Sequence, residues 1–244
     1  MDGAAYKRVL IKLSGEALGV DGKDFSQSAF EETAKSLLRI AQMGVEIALV
    51  IGAGNIWRGR RGPEMDRPTA DYMGMLATVI NALYMKDVLC RLGRGALPAG
   101  ANLDARVQSA FPIGPVCEPY SRDEALRHLE QGRIVLFAAG TGHPFFSTDT
   151  TAALRAAEIG ADALLMAKNV DFIYSEDPKK NPNAQRFEDL SFDEALRLNL
   201  KVMDASAFAL CQESALPILC FGLNDPENLI RAARGEKIGT LVHA

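Results

Sequence analysis

The chain has 244 residues and a net charge of −4, with 48% hydrophobic and 24% charged residues. These proportions belong to a globular protein that buries a substantial core, and they exclude long disordered tracts. Without a basic excess the chain lacks the electrostatic footprint of a nucleic-acid binder, so an anionic ligand must be gripped by local geometry, which favours small nucleotides.

Residues 1–7 carry no apolar h-region, and no uninterrupted apolar run approaches the roughly 20 residues that cross a bilayer, so a soluble, cytoplasmic protein with no membrane partner is expected. Val9 to Leu13 is the first of five short apolar runs; Val45 to Ile51, Ile134 to Ala138, Ala163 to Ala167 and Pro217 to Phe221 follow. They lack the polar alternation of a half-wet sheet and read as buried strands. Between them, Ser28 with Glu31, Ser121 with Glu124 and Ser191 with Glu194 have the capping-box spacing, and Asp225-Pro226 marks another helix start. The longest helix is expected from about Asp66 to Arg91, with Met73, Leu76, Val79, Ile80, Leu83 and Val88 as its apolar stripe. A face including Met73 and Met75 reads as core in preference to interface. Ser175 to Phe187, with two prolines and two asparagines, reads as an exposed loop. Strands alternating with helices predict an α/β fold, a three-layer αβα sandwich around a mainly parallel sheet, and no repeat or linker divides residues 1–244. Cys90, Cys117, Cys211 and Cys220 form no CxxC pair and predict buried thiols, not a zinc site or a disulfide framework.

Three of the predicted strands run directly into loops suited to anions. Lys12-Leu13-Ser14-Gly15 follows the first, Gly52-Ala53-Gly54-Asn55-Ile56-Trp57-Arg58-Gly59 the second, and Ala139 to Asp149 the strand that ends at Ala138. Ligands collect at the carboxyl ends of parallel strands, where the amides of a tight glycine turn face an anion. Each loop alone is equally a structural turn; Arg58, Arg60 and Arg61 clustered beside the second, and hydroxyls at Thr141, Ser147 and Thr148 in the third, favour a site. Neither GxGxxG nor GxxxxGK[ST] occurs, which excludes the dinucleotide fingerprint and the P-loop. His143 stands in no catalytic grouping and takes no acid or base role.

In order, KLSGEAL (Lys12 to Leu18), GNIWRG (Gly54 to Gly59), DYMGMLATVINAL (Asp71 to Leu83), AAGTGHPFFSTDT (Ala138 to Thr150) and LKVMD (Leu200 to Asp204) resemble the bacterial uridylate (UMP) kinases of the amino acid kinase superfamily, over nearly the whole chain. The resemblance implies transfer of the ATP γ-phosphate to UMP, with the acceptor mainly in the N-terminal part and ATP mainly in the C-terminal part. It implies Lys12, Leu13, Ser14, Gly15, Gly54 and Arg58 on the ATP phosphates, and Tyr174 and Asp177 near the adenosine. UMP would meet Ala53, Asp71 through its ribose, and the stretch Thr141, Gly142, His143, Pro144, Phe145, Phe146, Ser147 and Thr148. Lys12, Arg58, Asp149 and Asp204 are implied as catalytic, with Asp204 orienting the lysine. Mg²⁺ would enter with the ATP phosphates and not on a dedicated protein site. Hexamers built from dimers, with the long helix as an interface element, and inhibition by UTP are further implications. Other superfamily acceptors, carbamate or acetylglutamate, have no ribose for Asp71, and a non-catalytic nucleotide sensor would not need Lys12, Arg58, Asp149 and Asp204 together.

Several positions depart from the family pattern. Ala53 replaces the middle glycine of GGGN, His143 an asparagine, and Phe172 the glycine of VDGVY. An alanine at positive φ would be strained. Lys168-Asn169 differs from some members, leaving the role of Lys168 open, and Gly19 to Ser26 lacks the GFGID associated with activation by GTP.

Overall fold

The computed structural model describes residues 3–19, 25–57, 65–178, 180–181 and 183–244. Along them run β1 (Arg8–Leu13), α1 (Gln27–Gln42), β2 (Glu46–Ile51), α2 (Arg67–Leu92), β3 (Ala105–Ser109), β4 (Glu118–Pro119), α3 (Arg122–Glu130), β5 (Ile134–Ala138) and α4 (Thr148–Glu158). There follow β6 (Ala163–Lys168), β7 (Ile173–Tyr174), β8 (Arg186–Phe187), β9 (Asp189–Ser191), α5 (Phe192–Arg197), α6 (Ala205–Glu213), β10 (Ile218–Gly222), α7 (Glu227–Ala233) and β11 (Thr240–His243). Nine strands form one sheet in the order β4-β3-β5-β2-β1-β6-β10-β11-β9, parallel throughout except between β10 and β11. β7 and β8 make a separate antiparallel pair.

All five predicted strands are present, and their continuous apolar character has a direct cause. Val9, Ile11 and Leu13 of β1 pack into one cluster with α1, α2 and α7, while Leu10 packs into a second with α3, α4, α5 and α6. Alternate side chains of a strand enter opposite faces, so a sheet covered on both sides needs apolar residues at every position. This is the three-layer sandwich expected from the sequence. β3 escaped the sequence reading because Arg106 and Gln108 interrupt its apolar residues, although Ala105 and Val107 are buried.

The helix starts follow the sequence with two corrections. Ser121 and Ser191 accept the amides of Glu124 and Glu194, as the spacing predicted. At α1 the cap is Ser26, which accepts the Ala29 amide at 3.3 Å, while Glu31 is engaged by Gln27 and Arg91. At α7 Pro226 is itself the cap residue, and Asp225 accepts the Glu227 amide at 2.9 Å. α2 begins as expected, with Asp66 accepting the Thr69 amide at 3.1 Å.

The predicted stripe of α2 is split by the structure. Met75, Val79, Ala82, Met85, Val88 and Leu89 face the sheet, whereas Met73, Leu76 and Ile80 are 38%, 48% and 49% exposed. This helix is apolar nearly all round, so periodicity could not single out the buried face. By length and composition it is also apolar enough to cross a bilayer, which counting uninterrupted runs did not register; half of that window is buried inside the molecule. Cys117, Cys211 and Cys220 are buried free thiols and Cys90 is half-buried; burial pushes the Cys211 thiol up to about 12.

α4 is fixed from its far end. The buried Arg155 guanidinium lies 3.4 Å from the centre of the Tyr120 ring and pairs with Glu158 at 2.6 Å. Burial, then the bond to Glu158, pushes the Tyr120 phenol up to about 12. These contacts hold the C-terminal end of α4 to the β4–α3 connection, and its N-terminus comes to lie over the ends of β1 and β2.

Candidate active site

β1, β2, β5 and β6 are parallel, so the segments that follow them gather at one edge of the sheet. β1 leads through Ser14 into a 3-10 turn at Gly15–Leu18. Here glycine is obligatory: a Cβ on Gly15 would stand 2.3 Å from the Gly52 carbonyl oxygen and 2.6 Å from Asn55 Oδ1. Asn81 of α2 ties the second loop down, donating to the Gly52 carbonyl and to Asn55, each at 2.8 Å. Thr78, one turn earlier, accepts the Ala139 amide at 2.9 Å and donates to the Met75 carbonyl at 2.6 Å. The strain anticipated for Ala53 falls instead on Ala139, at φ +62, followed by Gly140 at +60, Gly142 at +83 and Phe145 at +74. A left-handed alanine costs about 1 kcal/mol or more and is held only where its surroundings over-determine it; the Thr78 bond is such a restraint.

The charged centre lies where α4 and α6 begin. Lys12 Nζ pairs with Asp149 Oδ1 at 2.9 Å, their side chains 12% and 20% exposed. Ser147 caps α4 by accepting the Asp149 and Thr150 amides. Asp204 caps α6 through the Ala207 amide at 2.9 Å and also accepts from the hydroxyls of Ser206, Thr150 and Ser147. Lys12 therefore pairs with Asp149 and not with Asp204, from which an orienting contact was expected; Asp204 instead locks the two helix starts together. The reason is geometric: Asp149 lies in the first turn of α4, the helix that packs on β1, while Asp204 lies at the start of α6, which packs on α4. Burial pushes the Asp204 carboxyl up, but the bonds from Ser147, Ala207, Ser206 and Thr150 outweigh it and hold the group below its ordinary value.

Beside this centre is a cavity of about 180 Å³. Ala53, Gly54, Asp71, Phe146, Ser147 and Thr148 line it, all anticipated from the sequence, together with Trp57, Ala70, Gly74, Met75, Thr78 and Gly140. Trp57 is positioned by an indole bond to the Ala70 carbonyl at 2.9 Å. Asp71 Oδ2 accepts the Phe145 amide at 2.8 Å, and Arg67 stands 3.6 Å from the same oxygen with its guanidinium 4.9 Å from the Phe145 ring centre. Thr141, Gly142, His143, Pro144 and Phe145 form the adjoining loop and not the cavity wall; Phe145 is 63% exposed.

The family model for the amino acid kinase family matches residues 7–222. The chain belongs to the amino acid kinase family. Among solved structures it is similar to the UMP kinase of Bacillus anthracis, at 40% identity, a TM-score of 0.90, and coverage of 98% of this chain and 96% of that one. It is also similar to the UMP kinase of Ureaplasma parvum, at 37% identity, a TM-score of 0.89, and coverage of 98% and 99%. Uridylate kinase from Archaeoglobus fulgidus is similar at 27% identity and a TM-score of 0.71, with 96% and 99% covered.

Within this amino acid kinase, the structure thus brings together Lys12, Gly15, Gly54, Asp149, Asp204 and the start of α4. Arg58, with Arg60 and Arg61, lies outside the described residues. Tyr174 sits on β7 and donates to Asp171 at 3.0 Å, and the Asp177 carbonyl closes the following turn by accepting the Lys180 and Asn181 amides; none of these bonds reaches Lys12. Phe172 packs against the Arg186 guanidinium, 4.6 Å from its ring centre. Sequence reasoning passed over Trp57 and Thr78 as site residues. Both stood inside quoted motifs, but their placement depends on α2 lying over the β2 and β5 loops. Among the described residues no three Asp, Glu, His or Cys side chains converge to hold a metal ion.

Because the folded Asp204 carboxyl is held below its ordinary value, its stabilisation is full above the unfolded value of about 4 and is lost as pH falls through the lowered folded value. Asp204→Asn is expected to be less stable than the parent at pH 7, with the gap closing below about pH 4. Denaturant titrations across that range check this; a gap independent of pH contradicts it.

Proposed function

We propose that this chain catalyses transfer of the γ-phosphate of ATP to UMP, giving ADP and UDP. The observation that carries the reading is the convergence of Lys12 and the N-termini of α4 and α6 on one strand edge, directly beside the Asp71 cavity. Each helix N-terminus contributes about half a positive charge and unsatisfied amides, an arrangement suited to phosphate. The similarity to UMP kinases supports the acceptor.

The second pKa of a phosphate monoester is about 6, so the UMP phosphate is mostly a dianion at neutral pH and needs no general base. Its oxygen attacks the γ-phosphorus in line as the bond to the β-phosphate oxygen breaks; the protein supplies alignment and positive charge. Lys12 is the cation for the transferred group, held in place by Asp149 until phosphate competes for it, and Arg58 serves as a second. Leu13, Ser14, Gly15 and Gly54 supply the loop backbone around the ATP phosphates, and Tyr174 and Asp177 flank the adenosine. Mg²⁺ bound through the ATP phosphates would neutralise charge on them. On the acceptor side Asp71 takes the ribose; its two described partners both use Oδ2. Ala53 and the stretch Thr141 to Thr148 take the rest of UMP. The reading carries with it a cytoplasmic location, a place in pyrimidine nucleotide synthesis, inhibition by UTP, and a homohexamer in which the exposed Met73, Leu76 and Ile80 of α2 are covered by another copy.

Lys12→Ala is expected to lower turnover by about 100-fold or more while changing UMP affinity little, checked by coupled ADP assays with UMP, CMP, carbamate and acetylglutamate and by calorimetric UMP titration. Equal loss of turnover and UMP affinity, or preference for a carboxylate acceptor, overturns the assignment. Ile80→Asp is expected to shift sedimentation towards smaller species; a parent protein that sediments as a monomer contradicts the hexamer.

A further inference from the structure

Lys168 ends β6 at the same edge, and the reaction as described gives it no part. In the sheet Lys12 pairs with Met166, and Lys168 pairs with Gly222. Leu10, Met166 and Cys220 are all buried in the cluster beneath α4 and α6. Side chains on a strand alternate between faces, so Lys12, two residues past Leu10, and Lys168, two past Met166, project to that same face on adjacent strands. The buried Cys220 thiol registers the grouping: burial pushes it up, and the charges of Lys168, Asp149 and Lys12 all act on it.

The bonding state of Lys168 sets it apart. Lys12 is paired with Asp149, and Asp204 is surrounded by hydroxyls and an amide. Lys168 has no ion-pair partner among the described residues and donates instead to the Val202 carbonyl, two residues before Asp204. The four side-chain charges cancel, and two helix N-termini add about half a positive charge each. Of the two lysines, Lys168 is the one that can turn towards an anion without breaking an ion pair, since it gives up only a neutral carbonyl.

Resting on the kinase reading above, we propose that Lys168 is a second catalytic lysine, whose ammonium leaves the Val202 carbonyl for the phosphate oxygens of ATP. There it offsets the charge that accumulates on the departing diphosphate as the bond from the γ-phosphorus to its bridging oxygen breaks. Its proton stays on nitrogen throughout, and the γ-phosphoryl group passes from ATP to the UMP phosphate oxygen, with ADP as the leaving group.

Lys168→Gln separates this from a merely structural strap, because glutamine can still donate to a carbonyl but carries no charge. The expected result is a kcat reduced by about 100-fold, KM for UMP within about threefold, an unchanged melting temperature, and partial recovery in Lys168→Arg. Calorimetry with β,γ-imido-ATP is expected to show binding weakened by about tenfold, the size of a lost hydrogen bond to a charged group. Turnover and analogue binding near those of the parent overturn the proposal, as does a fall in melting temperature that parallels the loss of activity in both variants. A parent protein that binds the analogue through Lys168 but forms no UDP refutes the kinase reading and leaves Lys168 as a phosphate ligand.

Discussion

The hydrogen bonds of Asp204 to Ser147, Thr150 and Ser206 join the starts of α4 and α6 into one unit, and the rest of the site is built on that junction. Neither helix can turn its N-terminus away from the sheet edge while this carboxylate holds both. Asp149 then meets Lys12 because α4 is fixed at its near end by Asp204 and at its far end by Arg155, Tyr120 and Glu158. An anionic side chain at paired helix starts is favourable. It also leaves Lys12 and the remaining amides poised for a phosphate.

The Asp71 cavity is assembled differently, by backbone conformations that one long helix stabilises. α2 reaches the β2 loop through Asn81, the β5 loop through Thr78 and the Phe145 amide through Asp71. Two loops distant in sequence, the second held at two points, are thereby referred to one rigid element, and the strained Ala139 and Phe145 conformations persist because α2 holds them. The charged centre and the Asp71 cavity share Ser147 and Thr148, which begin α4 and line the cavity. In-line transfer needs such a shared boundary, since misplacement by about 1 Å can cost about 100-fold in rate.

Much of this was legible in the sequence for physical reasons. Strands buried on both faces announce themselves as unbroken apolar runs, which is why β1, β2, β5, β6 and β10 were readable and β3, broken by Arg106 and Gln108, was not. Local capping chemistry located α3 and α5 and an apolar stripe located α2, while at α1 two nearby serines competed and the tertiary bond of Glu31 to Arg91 decided against Ser28. Which face of α2 is buried could not be read from a helix apolar on every side. Asp149 and Asp204 were both identified as belonging to the centre, but which of them pairs with Lys12 depends on the packing of α4 against β1. The positive φ at Ala139, in place of the one anticipated at Ala53, likewise follows from a threonine 61 residues away in sequence.

The proposed reaction is a single direct displacement between two nucleotides held on one sheet edge, with no phosphorylated protein side chain between them. Following the stereochemistry of transfer from ATP made chiral at its γ-phosphorus tests it most directly. UDP with inverted configuration at the transferred phosphorus is the expected product; retention of configuration, or the absence of labelled UDP, overturns direct transfer.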